Sequence, residues 1–219
     1  MAMEILRFSI ESLIGLVVIL NPFGAALLFV SLTQGESDEE QKKLAKRTTF
    51  AVIVTLILFM FLGQLIFSLF SITLDAFRIA GGILLFGMGM AMLRGQHPKS
   101  RITEKERAEV IEREDISIIP MAIPILSGPG AIATAMVYRA NVNSWLQIAI
   151  LTLAVILAAL FSGFILRNAH KMVDRFGKTA LRIVTRIMGL IATTIAVQFI
   201  ITGIKGILGE LITTYHILG

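Results

Sequence analysis

Leu20-Asn21-Pro22-Phe23-Gly24-Ala25 and Leu126-Ser127-Gly128-Pro129-Gly130-Ala131 interrupt two long apolar runs, one in each half of a 219-residue chain. Proline removes a backbone donor, and glycine weakens a helix. In hydrocarbon no water satisfies the freed backbone, so such interruptions are tolerated only against protein or a polar cavity. Two at matching depth point to a binding site inside a membrane protein, whereas one alone would read as an ordinary kink.

The surrounding composition fits. Hydrophobic residues make up 56% of the chain and charged residues 16%, with a mean hydropathy of +0.83; soluble domains carry about 25% charge. Apolar runs lie at 9–33, 48–70, 76–95, 117–138, 145–167 and 184–208, each long enough to cross the hydrocarbon core. The expected fold is all-α, with six transmembrane helices in a single domain, 1–219, the first and fourth broken near the midplane. The first run continues past Asn21 and is too long for the apolar core of a cleaved signal.

Sixteen of the twenty Lys and Arg residues fall in one set of alternate connections: Lys42 to Arg47, Arg94 to Arg113, and Arg167 to Arg186. Arg7, Arg78, Arg139 and Lys205 make up the other set. The positive-inside rule puts the rich set in the cytoplasm and both termini outside. The net charge of +5 is then an orientation signal, not a nucleic-acid footprint. The segment 96–116 reads as a charged, partly helical cytoplasmic linker. Its mixed charges favour a solvated connector over a regulatory docking surface.

Around that linker the chain repeats. Gly24-Ala25 matches Gly130-Ala131, Pro22 matches Pro129, and Phe77-Arg78-Ile79-Ala80-Gly81 matches Thr185-Arg186-Ile187-Met188-Gly189, at offsets of 106 to 108. Two units of three crossings, 1–95 and 117–219, must have opposite orientation, as in inverted-topology transporters.

At each break the sequence predicts freed carbonyls on one side, Val18 and Ile125, and helix-start amides on the other, at Gly24 and Gly130. Opposite poles suit a zwitterion. The candidate substrate-binding residues are Asn21, Pro22, Gly24, Ala25, Ser127, Gly128, Pro129, Gly130 and Ala131. Arg78 and Arg186, at polar helix ends, are expected to snorkel, with gating as the sharper alternative. Pro120 and Pro124 weaken the helix before the second break. Gly81, Gly82, Gly87 and Gly89 are expected to pack helices closely. Gln64, Thr193, Thr194 and Gln198 either line a path or bond between helices.

With no cysteine, the chain offers no thiolate site, and His97, His170 and His216 form no ligand pattern. No cofactor or metal is expected. Nor is an enzyme, because no nucleophile-base set or carboxylate pair lies at one membrane depth.

These motifs resemble the MarC family of six-helix membrane proteins, which includes SnatA-type small neutral amino-acid transporters. The resemblance is carried by Asn21–Gly24, Asp75–Gly82, Pro120–Ile132, Arg186–Leu190 and Gly203–Gly206. It implies a plasma-membrane (inner-membrane) transporter with broken first and fourth helices, for which glycine and alanine are substrates of some members. The reading is a secondary transporter of small neutral amino acids, working by alternating access and coupled to a proton or sodium gradient. Glu4, Glu11, Asp75 and Glu210 lie toward the outer ends, so a proton route is less evident than sodium on backbone carbonyls. The alternatives are a non-transporting scaffold or regulator, and an exporter of another small metabolite.

Overall fold

The computed structural model describes residues 2–95, 117–142 and 144–218; the charged linker expected at 96–116 lies outside them. The described residues are helical, without strands. In order they form α1 (Ala2–Leu20), α2 (Pro22–Leu32), α3 (Asp38–Leu69), α4 (Leu74–Leu93), a π-helix (Ser117–Leu126), α5 (Pro129–Ala140), α6 (Trp145–Arg167) and α7 (Ala169–Leu218). Five stretches are long and apolar enough to cross a membrane: Met3–Leu32, Asp38–Leu69, Leu74–Leu93, Trp145–Arg167 and Ala169–Ile212. The expected fourth span is instead two shorter pieces, the π-helix and α5, meeting at Ser127-Gly128.

Four of the helix starts have a local cause. Ser37 and Thr73 cap α3 and α4 by accepting from the Glu40 and Ala76 amides, as short hydroxyl side chains do at N-termini. Pro22 and Pro129 occupy the first turns of α2 and α5, where a missing N–H costs nothing. Gly177, at φ 76° and ψ 157°, interrupts α7. That break separates the charged stretch after Arg167 from the apolar run expected at 184–208.

Large apolar side chains face outward all round, among them Leu58, Ile83, Phe164 and Ile187, the arrangement lipid requires and water does not. The interior is finer-grained. Ala26, Ala122, Ala135, Ala158 and Ala159 are fully buried beside Leu16, Leu56, Leu126 and Leu151, so backbones approach closely, as packing without a hydrophobic driving force favours.

The most extensive interface is α4 against α7. It is antiparallel: Gly203 and Gly206 lie at Asp75, Ala196 and Ile200 at Gly82, Thr193 at Gly89, and Met92 at Gly189. A Cβ added at Gly82 would stand 2.8 Å from the Ala196 carbonyl, and one at Gly189 2.9 Å from the Gly89 carbonyl. These glycines are therefore contact surface, as expected for Gly82 and Gly89. Gly87 corrects the expectation: nothing lies within 4 Å of a Cβ built there. Elsewhere α1 packs on α6 and the π-helix on α3, while α2 packs on α6 and α7 and α5 on α3 and α4.

Candidate functional site

At the first break the chain turns at Asn21, whose φ of 46° and ψ of 58° are left-handed, a conformation asparagine tolerates better than most side chains. Its N–H donates to both the Val17 and Val18 carbonyls at 3.2 Å. The expectation that Val18 keeps an unpaired carbonyl is thus corrected: at the end of α1 the Asn21 N–H is shared between the carbonyls three and four residues back, as is common at helix termini. The Asn21 side chain folds over the start of α2, and its Oδ1 accepts the Gly24 N–H at 3.2 Å. A Cβ at Gly24 would collide with Nδ2 of that amide and stand 2.9 Å from its Cγ. Glycine here leaves room for the cap. The expected exposure of the Gly24 amide to a ligand does not occur in this arrangement, because Asn21 already satisfies it.

The second break is built differently. Pro120 and Pro124 cannot donate from their backbone nitrogens, and this stretch runs in π-helical register. At its end the Ser127 N–H and Oγ–H both reach the Ala122 carbonyl at 2.8 Å. Gly128 is extended, with φ −68° and ψ 175°, and no side-chain hydrogen bond caps α5. Its carbonyl accepts from Ala131 and Ile132 at 2.9 and 3.1 Å. The first amide of α5 is that of Gly130, since Pro129 has none, so the positive end of this helix starts there.

The two breaks converge on α4. A Cβ at Gly130 would meet Leu85 Cδ1 at 3.4 Å, and Met88 Cε and Sδ at 3.5 and 3.6 Å. Met88 also lines a crevice of about 20 Å³ with Asn21, Gly24, Ala25, Leu28, Met92 and others. Ile125, from the π-helix just before the second break, closes its wall. That volume holds about one water, and Met88 stands between the two breaks, against Gly130 on one side and in the crevice of Asn21 on the other. Ser127, Ala25 and Ala131 are buried, as are Pro22, Gly24, Gly128 and Gly130; Asn21 is half-buried and Pro129 exposed. Sequence reasoning missed Met88. Its setting, Gly87-Met88-Gly89, was the available signal: a flexible side chain between two residues that have none.

Arg78 and Arg186 lie away from this point. Arg78 sits ten residues before Met88, about 15 Å along the helix. It does not snorkel freely: its side chain is 17% exposed, Nη1 donates to Asp75 Oδ1 at 2.5 Å, and Nη2 donates to Asn141 Oδ1 just beyond α5. Asp75 in turn lies against Gly206, and its carbonyl against Gly203. Two sequence motifs on different helices therefore form one assembly. Arg186 is at the other end of α4, where a Cβ on Gly95 would meet its Nη2 at 3.2 Å.

Other polar groups are spoken for. Thr193 and Thr194 donate to the Gly189 and Leu190 carbonyls of their own helix, and Gln198 donates to Thr202. The Thr33 hydroxyl donates to Phe29 O, so at 2.9 Å His170 Nε2 is the donor to Thr33 Oγ1, tying the end of α2 to α7. Among the described residues no group of three or more His, Cys, Asp or Glu side chains could hold a metal ion.

Residues 6–208 match the family described as "MarC family integral membrane protein". A "UPF0056 membrane protein" of Pyrococcus abyssi is 38% identical over 207 residues, covering 94% of this chain and 99% of the relative. Another, of Methanocaldococcus jannaschii, is 39% identical over 203 residues, covering 93% and 98%. The UPF0056 membrane protein YhcE of Escherichia coli is 35% identical over 194 residues, covering 89% and 90%. These names specify membrane proteins and no substrate. No solved structure matches the chain.

Proposed function

The chain belongs to the MarC family of integral membrane proteins, and from that premise we propose that it is a secondary transporter carrying small neutral amino acids, glycine or alanine, across the plasma membrane. The observation that carries this reading is the shared position of Met88, against Gly130 at one break and in the crevice of Asn21 and Gly24 at the other. A site between two interrupted helices is what alternating access requires, because rocking one half against the other exposes it to each side in turn.

The chemistry suits a zwitterion. The substrate carboxylate accepts from the Gly130 amide, where the helix start is positive and no side chain competes. The ammonium donates to carbonyls at the end of the π-helix, with the half-buried Asn21 side chain able to turn toward it. The first break contributes its Gly24 amide only when the Asn21 cap opens. Glycine and alanine are small enough to take the volume Met88 vacates. Coupling is to a sodium or proton gradient, sodium having backbone carbonyls at the breaks as ligands.

In this reading the π-helix and α5 together make the fourth of six spans, and the halves are inverted repeats. The contact pattern supports it. Exchanging α1–α2 with the π-helix and α5, α3 with α6, and α4 with α7 turns most of the observed packing pairs into observed pairs, the smaller contacts of α7 with α1 and of α6 with α5 and α7 being the exceptions. The basic asymmetry supports an orientation with both termini outside. Arg78, bridging Asp75 and Asn141, closes the outer end, and Arg186 beside Gly95 the inner end.

Uptake of labelled glycine into proteoliposomes, with sodium and proton gradients imposed separately, tests the proposal. Accumulation above protein-free vesicles under one gradient is expected. Absence of uptake and of exchange under both would return the chain to the scaffold or regulator reading.

A further inference from the structure

Outside the breaks, a groove of about 640 Å³ runs between α3 and α6. Its cause lies in the sequence. Gly163 brings α6 so close to α3 that a Cβ there would overlap Thr49 Oγ1. Beside that contact Phe50 and Phe164 project outward, 69% and 62% exposed, and leave a furrow between them. Ile53 and Leu160 continue the apolar lining. One end differs: Lys42, Lys43 and Lys46, on the early turns of α3, meet Arg167, the last residue of α6. Lys43 is paired with Glu40 at 3.2 Å, which leaves Lys42, Lys46 and Arg167 as the cations directed to a groove occupant.

We infer that this groove binds an anionic phospholipid, with its phosphate among Lys42, Lys46 and Arg167 and an acyl chain along Ile53 and Leu160. The occupant follows from charge complementarity and solvent. The furrow opens on the lipid-facing surface, so hydrocarbon fills its apolar length. Cations clustered where that length ends match a headgroup bearing net negative charge, while a choline headgroup offers them a cation as well. Interfacial lysines alone would attract anionic lipid diffusely; a cleft between two helices beneath them makes one position preferred. By the positive-inside rule the basic end faces the cytoplasmic leaflet. The inference stands independently of any transported substrate.

Native mass spectrometry of delipidated full-length protein, given equal phosphatidylglycerol and phosphatidylcholine with identical acyl chains, tests it. Wild type should retain one phosphatidylglycerol with roughly ten-fold preference. The K42Q/K46Q/R167Q variant should fall to parity, whereas R175Q/K178Q/R182Q, equally discharged elsewhere, should keep the preference. Glycerol 3-phosphate should not displace the lipid, because it lacks the chain. If the first variant does not fold, Leu160→Trp, which fills the groove and leaves the cations, should lower retention instead. Parity in wild type, equal loss in the control triple, or full displacement by glycerol 3-phosphate would overturn the proposal.

Discussion

Met88 stands over Gly130, its Sδ 3.6 Å and its Cε 3.5 Å from where a Cβ would begin, and the same side chain walls the crevice beneath Asn21. The two interruptions in the chain, more than one hundred residues apart, are thereby stoppered by one flexible thioether. In the proposed transport cycle, displacing it would make room for the substrate.

Met88→Ala should therefore relax size selection. Transport or binding assays with competing amino acids should show larger neutral side chains, such as leucine, competing several-fold better than against wild type. The cost is packing: large-to-Ala changes at fully buried sites lose about 2–5 kcal/mol, and this half-buried position should lose about 2. An unchanged competition profile in a folded variant would remove Met88 from the substrate path.

The Asn21–Gly24 cap gives a test in which two rules disagree. Helix propensity predicts that Gly24→Ala stabilises α2 by about 1 kcal/mol. The collision with the Asn21 amide predicts the opposite, loss of a cap worth about 0.5–2 kcal/mol. Thermal melts in detergent should show Gly24→Ala and Asn21→Ala both less stable than wild type, and less than additive together, since each removes the same hydrogen bond.

Arg78 and Asn141 join α4 to the end of α5 across the two halves. With no native cysteine present, an Arg78→Cys/Asn141→Cys double variant can be bridged by a bifunctional methanethiosulfonate reagent that spans the length the Arg78 side chain covers. Cross-linking should stop glycine transport, and reductant should restore it. Full transport with the cross-link complete would show that this end of the molecule does not open.

Orientation is testable in intact cells. If the basic connections face the cytoplasm, as the positive-inside rule predicts, single cysteines at Lys43, Ser100 and Thr179 should react with permeant reagents only. Labelling of all three by an impermeant reagent would invert the topology.

The breaks were legible because Pro22 with Gly24 and Pro129 with Gly130 put a proline and a glycine together inside an apolar run. Their inequality was not. Whether Asn21 turns back onto Gly24 depends on a left-handed φ that asparagine allows but does not compel, and the π-helical register before Ser127 has Pro120 and Pro124 as its only sequence trace. Gly87 and Met88 were harder to tell apart in role, for another reason, although the flanking glycines set Met88 off. On a helix apolar all round, periodicity cannot say which residues face protein and which face lipid, so Gly87 was grouped with packing glycines while its neighbour between the two breaks went unmarked. Asp75 and Gly206 were visible as separate motifs; only the antiparallel approach of α4 and α7 brings them together.

Equilibrium binding of labelled glycine to purified wild-type and Gly130→Leu protein, with acetate and methylamine as competitors, tests the two-pole site at the second break most directly. The account predicts saturable binding to wild type, weak competition by either single-pole compound, and loss of binding in a Gly130→Leu protein that stays monodisperse. Wild-type affinity in Gly130→Leu, or acetate or methylamine competing as well as unlabelled glycine, would contradict it.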